Sequence, residues 1–191
     1  MKSYALLKED LRQVIHFGVA LATVLVVRYI GFNSSLLLIS TLFLFGLVLA
    51  NAKMVGGKVK LVDQFLELVD RNVAIPGQGA MFFAAGIILV LTFLRPLELA
   101  LGIVMLHGLG DAVATMVGIR SRAFLPWNKG KTWHGLIAFF IAGTVAASFF
   151  IPLPQAITYA VVLAVVESLQ LPFDDNVTVP AASLVLRGFG L

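Results

Sequence analysis

Residues 29–52 read YIGFNSSLLLISTLFLFGLVLANA, with no charged side chain anywhere in the stretch. A helix needs about 20 apolar residues to cross the hydrocarbon core of a bilayer, and this stretch exceeds that length. Asn72–Leu94 is likewise uncharged, and so is Thr132–Val166, where Pro152 and Pro154 suggest two spans joined by a tight turn. The whole chain of 191 residues keeps this character, being 60% hydrophobic and 13% charged. Its mean hydropathy is +0.99. Soluble domains carry roughly 45–50% apolar and about 25% charged residues, so the composition is that of a membrane protein.

The charge-free stretches predict spans near 13–31, 34–51, 79–95, 97–118, 134–151 and 154–169, with a shorter seventh helix over 177–191. Helices are expected because they satisfy their own backbone hydrogen bonds in lipid. The first apolar stretch runs directly into the second without a small-residue cleavage site, so it reads as a span rather than a signal peptide. Residues 58–71, KVKLVDQFLELVDR, place Leu61, Val62, Phe65, Leu66 and Val69 on one helical face, opposite Lys60, Asp63, Glu67 and Asp70. This predicts an amphipathic helix on the membrane surface, either a simple linker or a substrate gate. The expected fold is one polytopic domain over 1–191: an all-α bundle of six to seven transmembrane helices plus this surface helix.

Basic residues set the expected orientation. With the N-terminus in the cytoplasm, the inner segments hold Lys2, Lys8, Arg12, Lys53, Lys58, Lys60, Arg71, Arg120, Arg122, Lys129 and Lys131. Of the 14 basic residues, only Arg28, Arg95 and Arg187 remain for the outer side. The formal charge of +4 therefore follows topology and does not point to nucleic acid. The absence of cysteine excludes disulfides and thiolate metal sites.

Four polar clusters interrupt this apolar background. The first is Asp111, about seven residues inside its span, hence roughly 10 Å below the helix end. A carboxylate there costs roughly 2.5–3.5 kcal/mol on insertion scales and marks function by default. Gly110, Ala114 and Gly118 recur every fourth residue and allow close approach of another helix. Gly108, Asp111, Thr115 and Gly118 form a second face with open space beside the carboxylate. A purely structural alternative is an Asp111–His107 pair four residues apart.

The second cluster is the basic loop Arg120, Arg122, Lys129, Gly130, Lys131 and Thr132. A Walker A loop is ruled out, because Leu125 stands where its first glycine is required and no strand precedes it. Helix N-terminal amides beside lysine and arginine can nevertheless cradle phosphates, although topology alone also accounts for a basic loop. The third cluster is Glu167 with Asp174, Asp175 and Asn176, a donor set that suits Mg²⁺ with substrate phosphates. Capping of the last helix by Asn176 or Thr178, with Pro180 in its first turn, would account for only part of it. The fourth, Glu9, Arg12 and His16, lies on one face of the first helix and means little by itself.

Taken in order, Glu9-x-x-Arg12-x-x-x-His16, Gly79–Phe83, Gly110-Asp111-Ala112 with Gly118, Lys131-Thr132, and Glu167 followed by Asp174-Asp175-Asn176-Val177-Thr178-Val179-Pro180 resemble the CTP-dependent polyprenol kinases. That family includes dolichol kinase, phytol kinase and the CTP-using diacylglycerol kinases. Where it usually carries a glutamate just before the glycine of its Lys-Ser/Thr segment, this chain has His134. The resemblance implies transfer of the γ-phosphoryl group of CTP to the hydroxyl of an isoprenoid alcohol. It implies Mg²⁺ held by Asp111, Glu167, Asp174 and Asp175. It also implies catalytic roles for Asp111, Lys131 and Asp175, and nucleotide contacts from Arg120, Arg122, Lys129, Lys131, Thr132 and Asn176. The Gly130-Lys131-Thr132-Trp133-x-Gly135 wording is also similar to the CDP-diacylglycerol and CDP-archaeol synthases, which would release pyrophosphate. A non-catalytic transporter or assembly subunit would instead use Asp111 in an ion path.

Overall fold

The computed structural model describes residues 2–69 and 75–190 and shows eight α-helices and no strand among them. They are α1 (Lys2–Ile30), α2 (Phe32–Met54), α3 (Lys60–Val69), α4 (Gln78–Phe93), α5 (Leu97–Gly118), α6 (Trp133–Ser148), α7 (Leu153–Ser168) and α8 (Asp175–Gly188). Gly31 turns the chain between α1 and α2 at φ +84°, a conformation glycine adopts without a Cβ clash. Pro96 precedes α5, whereas Pro152 and Pro154 open α7, where a missing N–H costs no helical bond.

Among the described residues, three helices are long and apolar enough to cross a membrane: Ala5–Ile30, Phe32–Met54 and Leu97–Gly118. Helices α4, α6 and α7 have 16 residues each, about 24 Å at 1.5 Å per residue. They stop short of the ends expected from the charge-free stretches. Leu94 is already extended before Arg95-Pro96, as the residues ahead of a proline tend to be, and α6 ends at Ser148 before the turn into Pro152. At the other extreme, α1 starts well before residue 13 because Lys2–Arg12 continue the same helix. The amphipathic helix is present over Lys60–Val69, and the expected residues Asp70 and Arg71 lie outside the described residues.

Helix α5 is the axis of the molecule, with every residue from Leu99 to Gly108 buried. It packs most extensively on α6 and also on α1. The glycine spacing read in the sequence explains the first contact. A Cβ on Gly135 would lie 3.0 Å from the Ala114 carbonyl, and one on Gly110 would lie 3.3 Å from that of Phe139. Gly108 faces Ala20 of α1 rather than open space. Ion pairs tie α1 to α5 and to the loop just after it, Asp10 to Arg120 two residues past the end of α5 (2.6 and 3.0 Å) and Arg28 to Glu98 in its first turn. Eighteen residues of α1 separate these pairs, about 27 Å of helix, close to the roughly 30 Å hydrocarbon thickness.

Helix α8 is pressed against α4. A Cβ on Gly86 would collide with the Asn176 carbonyl and the Pro180 ring, so the first turn of α8 is seated on a glycine. That seating positions the acidic segment before Pro180.

Candidate functional site

A cavity of about 580 Å³ opens where α1, α4, α5, α6, α7 and α8 bring one set of ends together. Asp111 comes from α5, Glu167 from the last turn of α7, and Asp175 from the first turn of α8. Each offers a carboxylate oxygen, and these atoms lie within 4.8 Å of one another. The side chain of Glu167 is only 3% exposed. Three carboxylates so close repel one another strongly unless a cation sits among them.

Lys131 supplies that charge. Its Nζ donates to Glu167 Oε1 and, at 2.9 Å, to Asp175 Oδ2. Burial works to lower its pKa, but Glu167, Asp175 and Asp111 more than offset this and hold the ammonium charged above its ordinary range. The loop delivers Lys131 by folding back on itself. Leu125 N–H donates to the Lys131 carbonyl (3.0 Å), Trp133 N–H donates to that of Ala123 (2.9 Å), and Leu125 is fully buried. The loop is also clasped to the end of α7. Trp127 Nε1 donates to Ser168 Oγ (3.2 Å), and Asn128 Nδ2 donates to the Ser168 carbonyl (3.1 Å). Ser168 follows Glu167 directly, so one clasp positions both members of the Lys131–Glu167 pair. Thr132 caps α6, its Oγ1 accepting from Gly135 N–H at 3.1 Å.

The structure brings some of the expected site residues together and places others apart. Asp174 lines the cavity but is not one of the three converging carboxylates. It is the N-cap of α8, accepting from Asn176 N–H at 3.0 Å, so neither Asn176 nor Thr178 caps that helix. Burial raises the Asp174 pKa, while its hydrogen bonds to Asn176 act in the opposite direction. Arg120, Arg122 and Lys129 do not line the cavity. Arg120 is engaged with Asp10 and the Met116 carbonyl, and Arg122 and Lys129 are exposed. His134 is also exposed, its Nδ1 2.8 Å from Ser121 Oγ. His107 does not face Asp111 but lies 3.3 Å from Asn176 Oδ1. The imidazole beside Asp111 is that of His16, at 3.6 Å, with its ring centroid 3.7 Å from that of Phe83 on α4.

The fourth cluster therefore belongs to the site. Arg12, Gln13 and His16 all line the cavity, and Glu9 binds both Arg12 and, at 2.9 Å, Gln13 Nε2. Gln13 was missed because a neutral amide raises no alarm in an interfacial helix. Its spacing of four from Glu9 and three from His16 was the available signal.

The cavity has two characters. Its lining combines polar side chains, Asp111, Lys131, Thr132, Glu167, Asp175 and Asn176, with apolar ones, Ile15, Val19, Leu66, Ala80 and Phe83. Val19, one of these lining residues, is 43% exposed, so the cavity reaches the molecular surface there. Leu66 brings the amphipathic helix α3 to the cavity. The three-carboxylate group is a hard, all-oxygen donor set, the kind that Mg²⁺ takes together with phosphate oxygens. No family model matches the chain, and no solved structure matches it. Over 128 residues it is 28% identical to an uncharacterized protein of Methanocaldococcus jannaschii, a stretch that is 64% of this chain and 63% of that relative's length.

Proposed function

We propose that the protein is a multi-pass membrane kinase that transfers the γ-phosphoryl group of CTP to the hydroxyl of an isoprenoid alcohol. The observation that carries this reading is the convergence of Asp111, Glu167, Asp175 and Lys131 in a cavity whose lining also includes apolar residues, among them Val19, which is exposed at the molecular surface. A soluble polyanion and a membrane-borne alcohol need a site that is both polar and apolar. In this reading α1, α2, α4, α5, α6 and α7 form the bundle, α8 completes it, and the N-terminus and cavity face the cytoplasm. Exposed Phe124, Trp127 and Trp133 around the basic loop suit the aromatic belt of a membrane–water boundary.

Phosphoryl transfer asks the protein mainly for positioning and charge neutralisation. Asp111, Glu167 and Asp175 would hold Mg²⁺, which neutralises charge on the β- and γ-phosphate oxygens when bound. Lys131, released from Glu167 and Asp175, would turn to the phosphates, with Arg12 as a further cation on the cavity wall. The alcohol oxygen forms the new bond to the γ-phosphorus while the bond to the β–γ bridging oxygen breaks and CDP leaves. Asp111 orients the hydroxyl and receives its proton. Ile15, Val19, Leu66 and Phe83 would receive the first part of the isoprenoid tail.

The test uses purified protein in detergent with Mg²⁺, γ-labelled CTP and a panel of isoprenoid alcohols, following label into the lipid phase. Label in the lipid supports the kinase, and the best acceptor names the alcohol. Pyrophosphate release with a lipid phosphate as acceptor, and no γ-label transferred, would replace it with a cytidylyltransferase.

A further inference from the structure

Gln13 is 2% exposed, lies on the cavity wall, and its Oε1 finds no hydrogen-bond partner among the described residues. The orientation of its amide is not arbitrary. Nε2 donates to Glu9 Oε1 at 2.9 Å, and a carboxylate can only accept, so the oxygen is the end left over. A buried acceptor without a donor costs about 1–3 kcal/mol. A ligand that brings an N–H or O–H to this position recovers that cost.

We propose that Gln13 is the residue that reads the nucleobase, selecting one whose amino group stands where uracil and guanine carry a carbonyl, the 4-amino group of cytosine or the 6-amino group of adenine. The inference rests on the nucleotide-binding reading above and adds its base specificity. Gln13 lies three residues, about 4.5 Å of helix rise, nearer the N-terminus of α1 than His16, the residue beside Asp111. It therefore stands about one helical turn along α1 from the residue beside the carboxylates that would hold the metal. Val19 lies three residues past His16, in the other direction along α1. Cytosine offers its 4-amino group and adenine its 6-amino group as donors, whereas uracil and guanine place a carbonyl oxygen at the corresponding position. An acceptor fixed by Glu9 welcomes the first pair and repels the second. Beside it on the same wall, Arg12 can only donate, which suits the ring nitrogen next to the amino group in cytosine and adenine. Sites built around a specific hydrogen bond discriminate well because the wrong ligand leaves a buried group unpaired.

The experiment is equilibrium binding of CTP, ATP, UTP and a CTP analogue with hydrogen in place of the 4-amino group to the full chain in detergent with Mg²⁺. CTP and ATP are expected to bind at least about tenfold more tightly than UTP or the amino-less analogue. In Gln13→Met the affinity for CTP should fall to the level of UTP. Equal binding of CTP, UTP and the analogue to the native protein overturns the inference and leaves the nucleotide site standing. A Gln13→Met variant whose CTP-to-UTP ratio is unchanged but whose KM for the alcohol rises also overturns it, and assigns Gln13 to the acceptor hydroxyl. No binding of any nucleotide sinks the kinase reading and this inference together. The analogue arm needs no substitution, so it stands even if the variant fails to fold.

Discussion

Lys131 and a divalent cation compete for the same oxygens. With Lys131 in place, Glu167 and Asp175 are neutralised by one ammonium, and replacing it with methionine leaves buried carboxylates without their counter-ion. Breaking a fully buried pair costs about 3–5 kcal/mol. Lys131 is 28% exposed, so a loss of about 1–3 kcal/mol is expected for Lys131→Met. Thermal unfolding in detergent should show a lowered Tm that added Mg²⁺ restores further than it raises the native protein. A variant as stable as the native protein and indifferent to Mg²⁺ would remove Lys131 from the carboxylate group. Asp111→Asn keeps the shape of the side chain but loses its charge and basicity, so phosphoryl transfer should fall by at least about 100-fold, measured as label entering the lipid. Full activity would end its assigned role. Asp111, Glu167 and Asp175 were legible in the sequence because charge in an apolar chain is costly and therefore conspicuous. Lys131 was legible as a basic residue but not as a partner of carboxylates, since a basic loop follows from topology alone. The separate roles of Asp174 and Asp175, one capping and one facing the carboxylates, depend on where α8 begins, and adjacent residues of the same type give no hint of that.

Between helices, the site depends on how closely α5 approaches α6 and α4 approaches α8. Gly135 touches the Ala114 carbonyl region of α5 one turn above Asp111, and it also gives Thr132 the N–H that its cap accepts. Gly135→Val adds atoms where a Cβ alone would already lie 3.0 Å from that carbonyl, so α5 and α6 must separate. Overpacking of this kind costs about 1–3 kcal/mol. The separation would also carry the Lys131 loop away from Glu167, so the proposed CTP binding should weaken along with stability. Gly46→Ala on α2 is the matched control, because a Cβ there has nothing within 4 Å, and both measurements should stay at native values. Equal effects of the two substitutions would refute the close-approach argument. The Gly110-Ala114-Gly118 spacing announced that some helix packs closely on α5, but small residues carry no label for their partner. Likewise, nothing in the run Gln78–Phe93 distinguishes Gly86, seated under Asn176, from Gly79, beside which there is open space.

Across the molecule, the charge-free runs located the helices well, because each run ends where a charge, a proline or a glycine makes lipid or helix unfavourable. Helix length was less legible: prolines and turns end α4 and α6 before the uncharged sequence does, and 16 residues are a short rod for a bilayer. The ion pairs Asp10–Arg120 and Arg28–Glu98 nevertheless mark two polar levels separated by about 27 Å of α1. If α6 runs between the same levels, the two ends of its 16 residues must meet different compartments. Lys129 is exposed just before α6, and Phe149, 80% exposed, lies just after it. The chain has no cysteine, so Lys129→Cys and Phe149→Cys each create a unique label. In sealed vesicles of known orientation, a membrane-impermeant maleimide should reach residue 129 only from the cytoplasmic face and residue 149 only from the other. Thinning of the bilayer around a short helix costs fractions of a kcal/mol per Å, so a helix of about 24 Å can satisfy this without distortion of its own. Labelling of both positions from one face would mean that α6 lies within one leaflet, and the cavity would then need a different route to the aqueous nucleotide.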